Sequence, residues 1–179
     1  MDAELQRILE PDFLGDLAHR SVAEVRALRE TCQSVETQLS YLRRLVQGRH
    51  DIVTGELDRR RHGGATDDVH GLVERLPEIL ADRIHAPGPG RLPVGMEPGE
   101  LTGTLVDRLE AIGEVVSVDA AATTDEQLEE AATQLTALEH EVSGLRRQLF
   151  DRIDALQTEI TRRYKDGEAN VEDILARGS

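Results

Sequence analysis

Residues 25–53 read VRALRETCQSVETQLSYLRRLVQGRHDIV. Apolar side chains recur at Val25, Leu28, Cys32, Val35, Leu39, Leu42, Val46 and Val53, with Arg49 at the one polar step of the series. The steps alternate three and four, which is the heptad spacing of a helix with one narrow apolar seam. Residues 128–156, LEEAATQLTALEHEVSGLRRQLFDRIDAL, repeat it through Leu128, Ala131, Leu135, Leu138, Val142, Leu145, Leu149, Arg152 and Leu156. Such a seam is too narrow for a helix buried on its own and too apolar for a free one. The chain between the two stretches is long enough to reverse. The fold class that follows is all-α: a long antiparallel two-helix coiled-coil hairpin with short flanking helices and a flexible Pro/Gly-rich middle segment.

Local signals set the boundaries. Ser21, with Glu24 three residues on, forms a capping box for the first long helix, and His62-Gly63-Gly64 ends it after Arg61. Asp125 opens the second long helix with an acidic first turn, and Asp166-Gly167 stops it after Tyr164 or Lys165. The chain then divides into an N-terminal partner-binding helix and turn (1–17), coiled-coil helix 1 (18–62), a helical and flexible insertion (63–124), coiled-coil helix 2 (125–166) and a short C-terminal helix (167–179). Residues 2–9 are amphipathic, Pro11 interrupts them, and residues 12–17 form a turn. Within the insertion, residues 67–85 and 100–116 read as helical, with Pro77 inside the former and a Pro-rich linker at 86–99 between them. A break at 117–124 follows, and residues 169–176 form the last helix.

Composition narrows the function. The 179 residues carry a net charge of −14, which argues against broad phosphate neutralisation and hence against nonspecific nucleic-acid binding. Aromatics are scarce (Phe13, Phe150, Tyr41, Tyr164, with no Trp), so a thick globular core is not expected. Cys32, the single cysteine, sits on the seam as a small hydrophobe. The acidic N-terminal residues lack a secretory h-region, and no apolar run reaches the roughly 20 residues of a membrane helix, so the expectation is a cytoplasmic protein. The six histidines lack metal-ligand spacing. No phosphate-binding glycine loop, nucleophile elbow or paired catalytic set is present, and the expectation is a protein that is not an enzyme.

A polar stripe accompanies each seam. The first is Glu36, Ser40, Arg43, Gln47 and Asp51; the second is Glu139, Ser143, Arg146, Phe150 and Asp154, at the same spacing. At 100° per residue each set lies within a narrow arc of one helix face. With Leu39, Val46, Leu135, Val142 and Leu149 at position a, the glutamates and arginines occupy e, and Ser40, Gln47, Ser143 and Phe150 occupy b. In an antiparallel pair the e positions share one flank, so the stripes converge around a pseudo-twofold axis. Facing stripes set Arg43 against Arg146, Val25 against Tyr164 and Arg61 against Leu128.

A twofold set of carboxylates, hydroxyls and guanidinium groups suits a twofold polar ligand. Carboxylates accept from the N1–H and N2–H₂ edge of guanine, and arginine donates to guanine O6 and N7 or to phosphate. Cyclic di-GMP offers all of these groups. The competing reading is a salt-bridge lattice on a structural coiled-coil adaptor, since Glu and Arg are ordinary on coiled-coil flanks. Pattern alone leaves both open. Arg59-Arg60-Arg61 reads as a solvated helix end, with contact to a partner or to ligand phosphates as the other reading.

The stripes and their surroundings resemble the RsiG family, the cyclic-di-GMP-responsive anti-sigma factors of sporulating actinobacteria. Its motif, Glu-x3-Ser-x2-Arg-x3-Gln-x3-Asp on each helix of an antiparallel coiled coil, is matched at all five positions by residues 36–51. Residues 139–154 match at four, with Phe150 replacing the Gln. Asp12-Phe13-Leu14, Val25-Arg26-Ala27-Leu28-Arg29 and residues 163–168 also resemble the family. The likeness covers roughly 10–62 and 126–176, and residues 65–124 carry no functional signal. The resemblance implies that a dimer of cyclic di-GMP sits on the coiled-coil flank. The loaded protein then sequesters a WhiG-type, flagellar-like sigma factor and blocks late sporulation genes. Sequestration calls for an apolar surface, for which Leu5, Ile8, Leu9, Phe13, Leu14, Leu17, Val171, Ile174 and Leu175 are the candidates. Docking of these side chains onto the hairpin is the other reading.

Overall fold

In a computed structural model, residues 1–63, 102–117 and 123–167 are described, apart from the side chains of 115–117. They form α1 (Asp2–Leu9), α2 (Val22–Arg61), α3 (Thr104–Ser117) and α4 (Asp125–Lys165), with 3-10 turns at Pro11–Leu14 and Leu17–His19. The described residues contain no strand. The expected helices at 67–85 and 169–176 and the linker at 86–99 lie outside them, as do Val171, Ile174 and Leu175.

The two long helices form where their local signals place them. Ser21 Oγ accepts from the Glu24 N–H at 3.2 Å while Glu24 accepts from the Ser21 N–H at 2.6 Å, a closed capping box. Thr124 and Gln127 form the same device at the start of α4, a box the sequence reading overlooked in favour of the acidic Asp125. Gly63 and Gly167, at φ +71° and +74°, follow the two C-termini in the left-handed conformation that glycine adopts without a Cβ penalty. At 40 and 41 residues the helices are about 60 Å long at 1.5 Å per residue.

The helices run antiparallel. Contacts step upward along α2 as they step downward along α4: Arg29 to Gln157, Arg43 to Glu139, Arg60 to Asp125. Between them Val35, Leu39, Leu42, Val46, Leu138, Val142, Leu149 and Leu156 are fully buried, and the seams extend to Leu57 and Ile160. No helix among the described residues is long and apolar enough to cross a membrane.

The seam arginines have a shared role. Arg49 and Arg152, 103 residues apart like the stripes, each reach sideways out of the seam to backbone carbonyls of a short helix. Arg49 donates to Leu109 O in α3, and Arg152 to Leu9 O at 3.1 Å at the end of α1. The pseudo-twofold of the sequence thus extends to the short helices. They meet at their N-termini, where Asp2 accepts from Thr104 N–H at 2.8 Å and from its hydroxyl at 2.6 Å. This bond explains why α3 starts at Thr104 rather than at residue 100. Gly103, at φ +141° with no room for a Cβ against Asp2, makes the approach possible. Gly113 allows a similar approach, because a Cβ there would stand 2.7 Å from Arg49 Nη1.

Of the two readings of the N-terminal apolar residues, the fold of the chain by itself agrees with docking on the hairpin. Leu5, Ile8 and Phe13 are buried, and Leu9, Leu14 and Leu17 pack against the same core. Burial of these side chains on the hairpin removes more apolar surface from water than α1 could on its own. The segment is clamped further by Arg163, which is 4% exposed, donates to Leu17 O and Arg20 O, and is neutralised by Glu159 at 2.6 Å. Cys32 is buried, and burial pushes its thiol up to about 11, so it packs as a neutral hydrophobe.

Leu42→Ala, at a fully buried position in the middle of the seam, is expected to lower the unfolding free energy by about 2–5 kcal/mol. Ile52→Ala, where the side chain is 70% exposed, changes it by no more than about 0.5 kcal/mol. Urea denaturation of the two variants beside the parent checks both.

Candidate functional site: a crossed polar cluster on one flank of the hairpin

The e positions of α2 and α4 come together near the middle of the hairpin, but each arginine faces a carboxylate. Arg43 Nε donates to Glu139 Oε1 at 2.7 Å and to Ser143 Oγ at 2.8 Å. Arg146 donates to Glu36 Oε1 through Nη2 at 2.9 Å and Nε at 3.1 Å. The expected alignment of Arg43 with Arg146 is corrected. Arg43 meets the residue seven positions earlier on α4, because two guanidinium groups held opposite each other repel whereas a guanidinium and a carboxylate attract. The serines belong to the same cluster. Ser143 Oγ donates to Glu139 Oε1 at 2.9 Å and Ser40 Oγ to Glu36 Oε1 at 2.6 Å.

The cluster therefore consists of two composite half-sites. One holds Arg43 of α2 with Glu139 and Ser143 of α4; the other holds Arg146 of α4 with Glu36 and Ser40 of α2. Neither helix contains a complete half-site. Both glutamates use Oε1 for every bond in the cluster, and among the described residues neither Oε2 has a hydrogen-bond partner. The side chains are half-buried: Arg43 is 35% and Glu139 20% exposed, a depth at which charge-assisted bonds exceed those of a fully solvated pair.

The outer stripe residues are placed differently. Gln47 is half-buried one turn beyond Arg43, and its amide makes no hydrogen bond among the described residues. Phe150 is 44% exposed and lies under Arg146, whose guanidinium carbon is 5.5 Å from the ring centroid. Asp51 and Asp154, at position f, are not bonded to the central six; Asp51 lies 4.0 Å from the His50 ring, and Asp154 is exposed. Arg60 of the basic run turns back onto the hairpin, donating to Thr123 O and to Asp125, both at 2.8 Å. Its neighbour Arg61 bonds Glu129 at 2.7 Å. The same flank continues through Arg26, stacked 5.4 Å over Tyr164. The opposite flank is where α3 lies: Arg108 pairs at 2.6 Å with Glu141, the g residue before Val142. The short helices thus sit away from the stripes.

The sequence matches the RsiG-like family over residues 11–80 and 115–178, which include both stripes. The chain belongs to the RsiG-like family. No curated protein matches it. Membership assigns the chain a regulatory, anti-sigma role, with a sigma factor as the general class of partner, and the family is not one of enzymes. Among the described residues of this RsiG-like chain no cluster of His, Cys, Asp and Glu could hold a metal ion.

Glu139 carries the pH dependence of the cluster. Burial raises its carboxyl, but hydrogen bonds from Arg43 and Ser143 outweigh burial and hold it below its ordinary 4.5. A carboxylate lowered in the folded state contributes stability above its unfolded pKa and loses it as pH falls through the folded value. Thermal unfolding followed from about pH 6 down to about pH 3 is expected to show the parent losing stability below about pH 4.5. Glu139→Gln loses less over the same range.

Proposed function

We propose that this protein is a ligand-gated anti-sigma factor. Cyclic di-GMP, bound as a dimer, loads the flank that carries the two composite half-sites, and the loaded hairpin then sequesters a sigma factor of WhiG type. Sequestration keeps that sigma factor from RNA polymerase and represses late sporulation genes; a fall in cyclic di-GMP releases it. The observation that carries this reading is the set of uncommitted groups on one flank. The two Oε2 atoms are acceptors for guanine N1–H and N2–H₂, and the terminal nitrogens of Arg43 and the amide of Gln47 are donors for guanine O6 and N7 or for phosphate oxygens. Ser40 and Ser143 orient the carboxylates. Asp51 and Asp154 extend each stripe outward. The residues present therefore fit guanine edges and phosphates at both half-sites, groups that a dimer of cyclic di-GMP supplies.

Each half-site draws on both long helices, so the nucleotide reads the assembled hairpin and not a single helix. This gives loading a direct effect on the surface met by the partner. The net charge of −14 suits a partner that is itself basic where it meets nucleic acid.

A second reading, a nucleotide-independent coiled-coil adaptor, has one observation in its favour. The crossed Arg–Glu pairs satisfy each other without any ligand. The two readings part on the arginines. In a calorimetric titration against a WhiG-type sigma factor, tight binding is expected only with cyclic di-GMP present. Arg43→Ala and Arg146→Ala each weaken the nucleotide by roughly 10- to 100-fold, the worth of about 1.5–3 kcal/mol for lost charged hydrogen bonds. Circular dichroism of both variants remains that of the parent. Equal sigma binding with and without nucleotide, unaffected by either substitution, selects the adaptor.

A further inference from the structure

The two half-sites are repeats in sequence and unequal in structure. In the first, Arg43 commits only Nε, so both terminal nitrogens are without a hydrogen-bond partner among the described residues, and Gln47 stands one turn on with an uncommitted amide. A guanine edge or phosphate can add to this half-site without breaking any bond in it. In the second, Arg146 commits both Nε and Nη2 to Glu36, is only 22% exposed, and rests on the Phe150 ring. Arg146 keeps its Nη1 protons and one Nη2 proton for an incoming group, but it lies deeper than Arg43, which is 35% exposed, and has no glutamine amide one turn on to complete the contact. Phe150, the residue in place of the glutamine, has no hydrogen-bonding group, but at 44% exposure it offers an aromatic face beside a cation. Such a face binds any base by stacking, with little discrimination by hydrogen bonding.

We propose that the half-sites load in order: the Arg43–Gln47 half-site takes the first cyclic dinucleotide by guanine-specific hydrogen bonds, and the Arg146–Phe150 half-site takes the second by stacking a purine on the Phe150 ring. This rests on the nucleotide reading above and deepens it. It makes the second step the less selective one and gives the gate two thresholds of nucleotide concentration.

The chain contains no tryptophan, so Phe150→Trp places a single fluorescent reporter at the second half-site with the aromatic face kept. Full-length protein carrying Phe150→Trp is titrated with cyclic di-GMP by calorimetry and by fluorescence in parallel. The expected result is emission nearly flat through the first molar equivalent and quenched through the second. Phe150→Gln, which restores the residue of the first stripe, brings the two affinities to within about threefold. Cyclic di-AMP competes for the second equivalent at least tenfold better than for the first. Quenching from the first injection overturns the order of loading, and calorimetric binding of two equivalents with no fluorescence change overturns the stacking. Absence of any calorimetric binding removes the nucleotide reading as a whole, an outcome distinct from both.

Discussion

Burial of two matched apolar seams against each other is the constraint on which the rest of the molecule depends. Neither α2 nor α4 could hide its stripe of Leu and Val alone, and two forty-residue helices gain their stability from packing that face rather than from helix propensity. Once Leu39, Leu42, Leu138 and Val142 interlock, the helix rotation about each axis is settled. Everything at positions e and b must then face one flank. The polar cluster is thus a consequence of the core: a seam shifted by one residue would carry Arg43 and Arg146 to different sides.

Within that frame, charge selects the alignment. The seam alone tolerates sliding by a heptad, since apolar side chains at a and d meet others of their kind after each step. The crossed pairs Arg43–Glu139 and Arg146–Glu36 prefer one of those alignments, and the twofold repetition makes the preference act twice. Half-buried ion pairs of this kind are worth on the order of 1 kcal/mol or less in stability. Their larger consequence is specificity, because the same groups that choose the register also become the composite half-sites. A site divided between two helices exists only when the hairpin is assembled in that register.

The opposite flank obeys the same pseudo-symmetry by a different device. Arg49 and Arg152 interrupt the seams at equivalent steps, where a leucine would have continued them, and each uses its guanidinium to bind backbone carbonyls of a short helix. An aliphatic stem that packs in the seam and a charged head that reaches past it suit this position. With α1 and α3 joined through Asp2 and Thr104, the short helices are drawn to the side away from the stripes.

Much of this was legible before any coordinates. The period of the seams, the Ser21–Glu24 box and the Gly63 and Gly167 stops are local signals, and local signals act on backbone within a few residues of themselves; they determined the two long helices and their ends. The repeated spacing of the stripes likewise determined that their e residues would share a flank, since that follows from helix geometry and an antiparallel pairing. Two things were decided only in the tertiary structure, and a third in part. The partner of each arginine depended on a relative slide of two helices that spacing within either one does not contain. The N-terminal apolar residues have the same pattern whether they meet another protein or their own hairpin, and only the fold showed Leu5, Ile8 and Phe13 buried on the hairpin. The inequality of the half-sites was decided in part by contact: Phe150 lies one turn from Arg146 on α4, a support that helix spacing contains, but the hold of Glu36 on two nitrogens of Arg146, against one nitrogen of Arg43 held by Glu139, arose only where α2 and α4 meet in space.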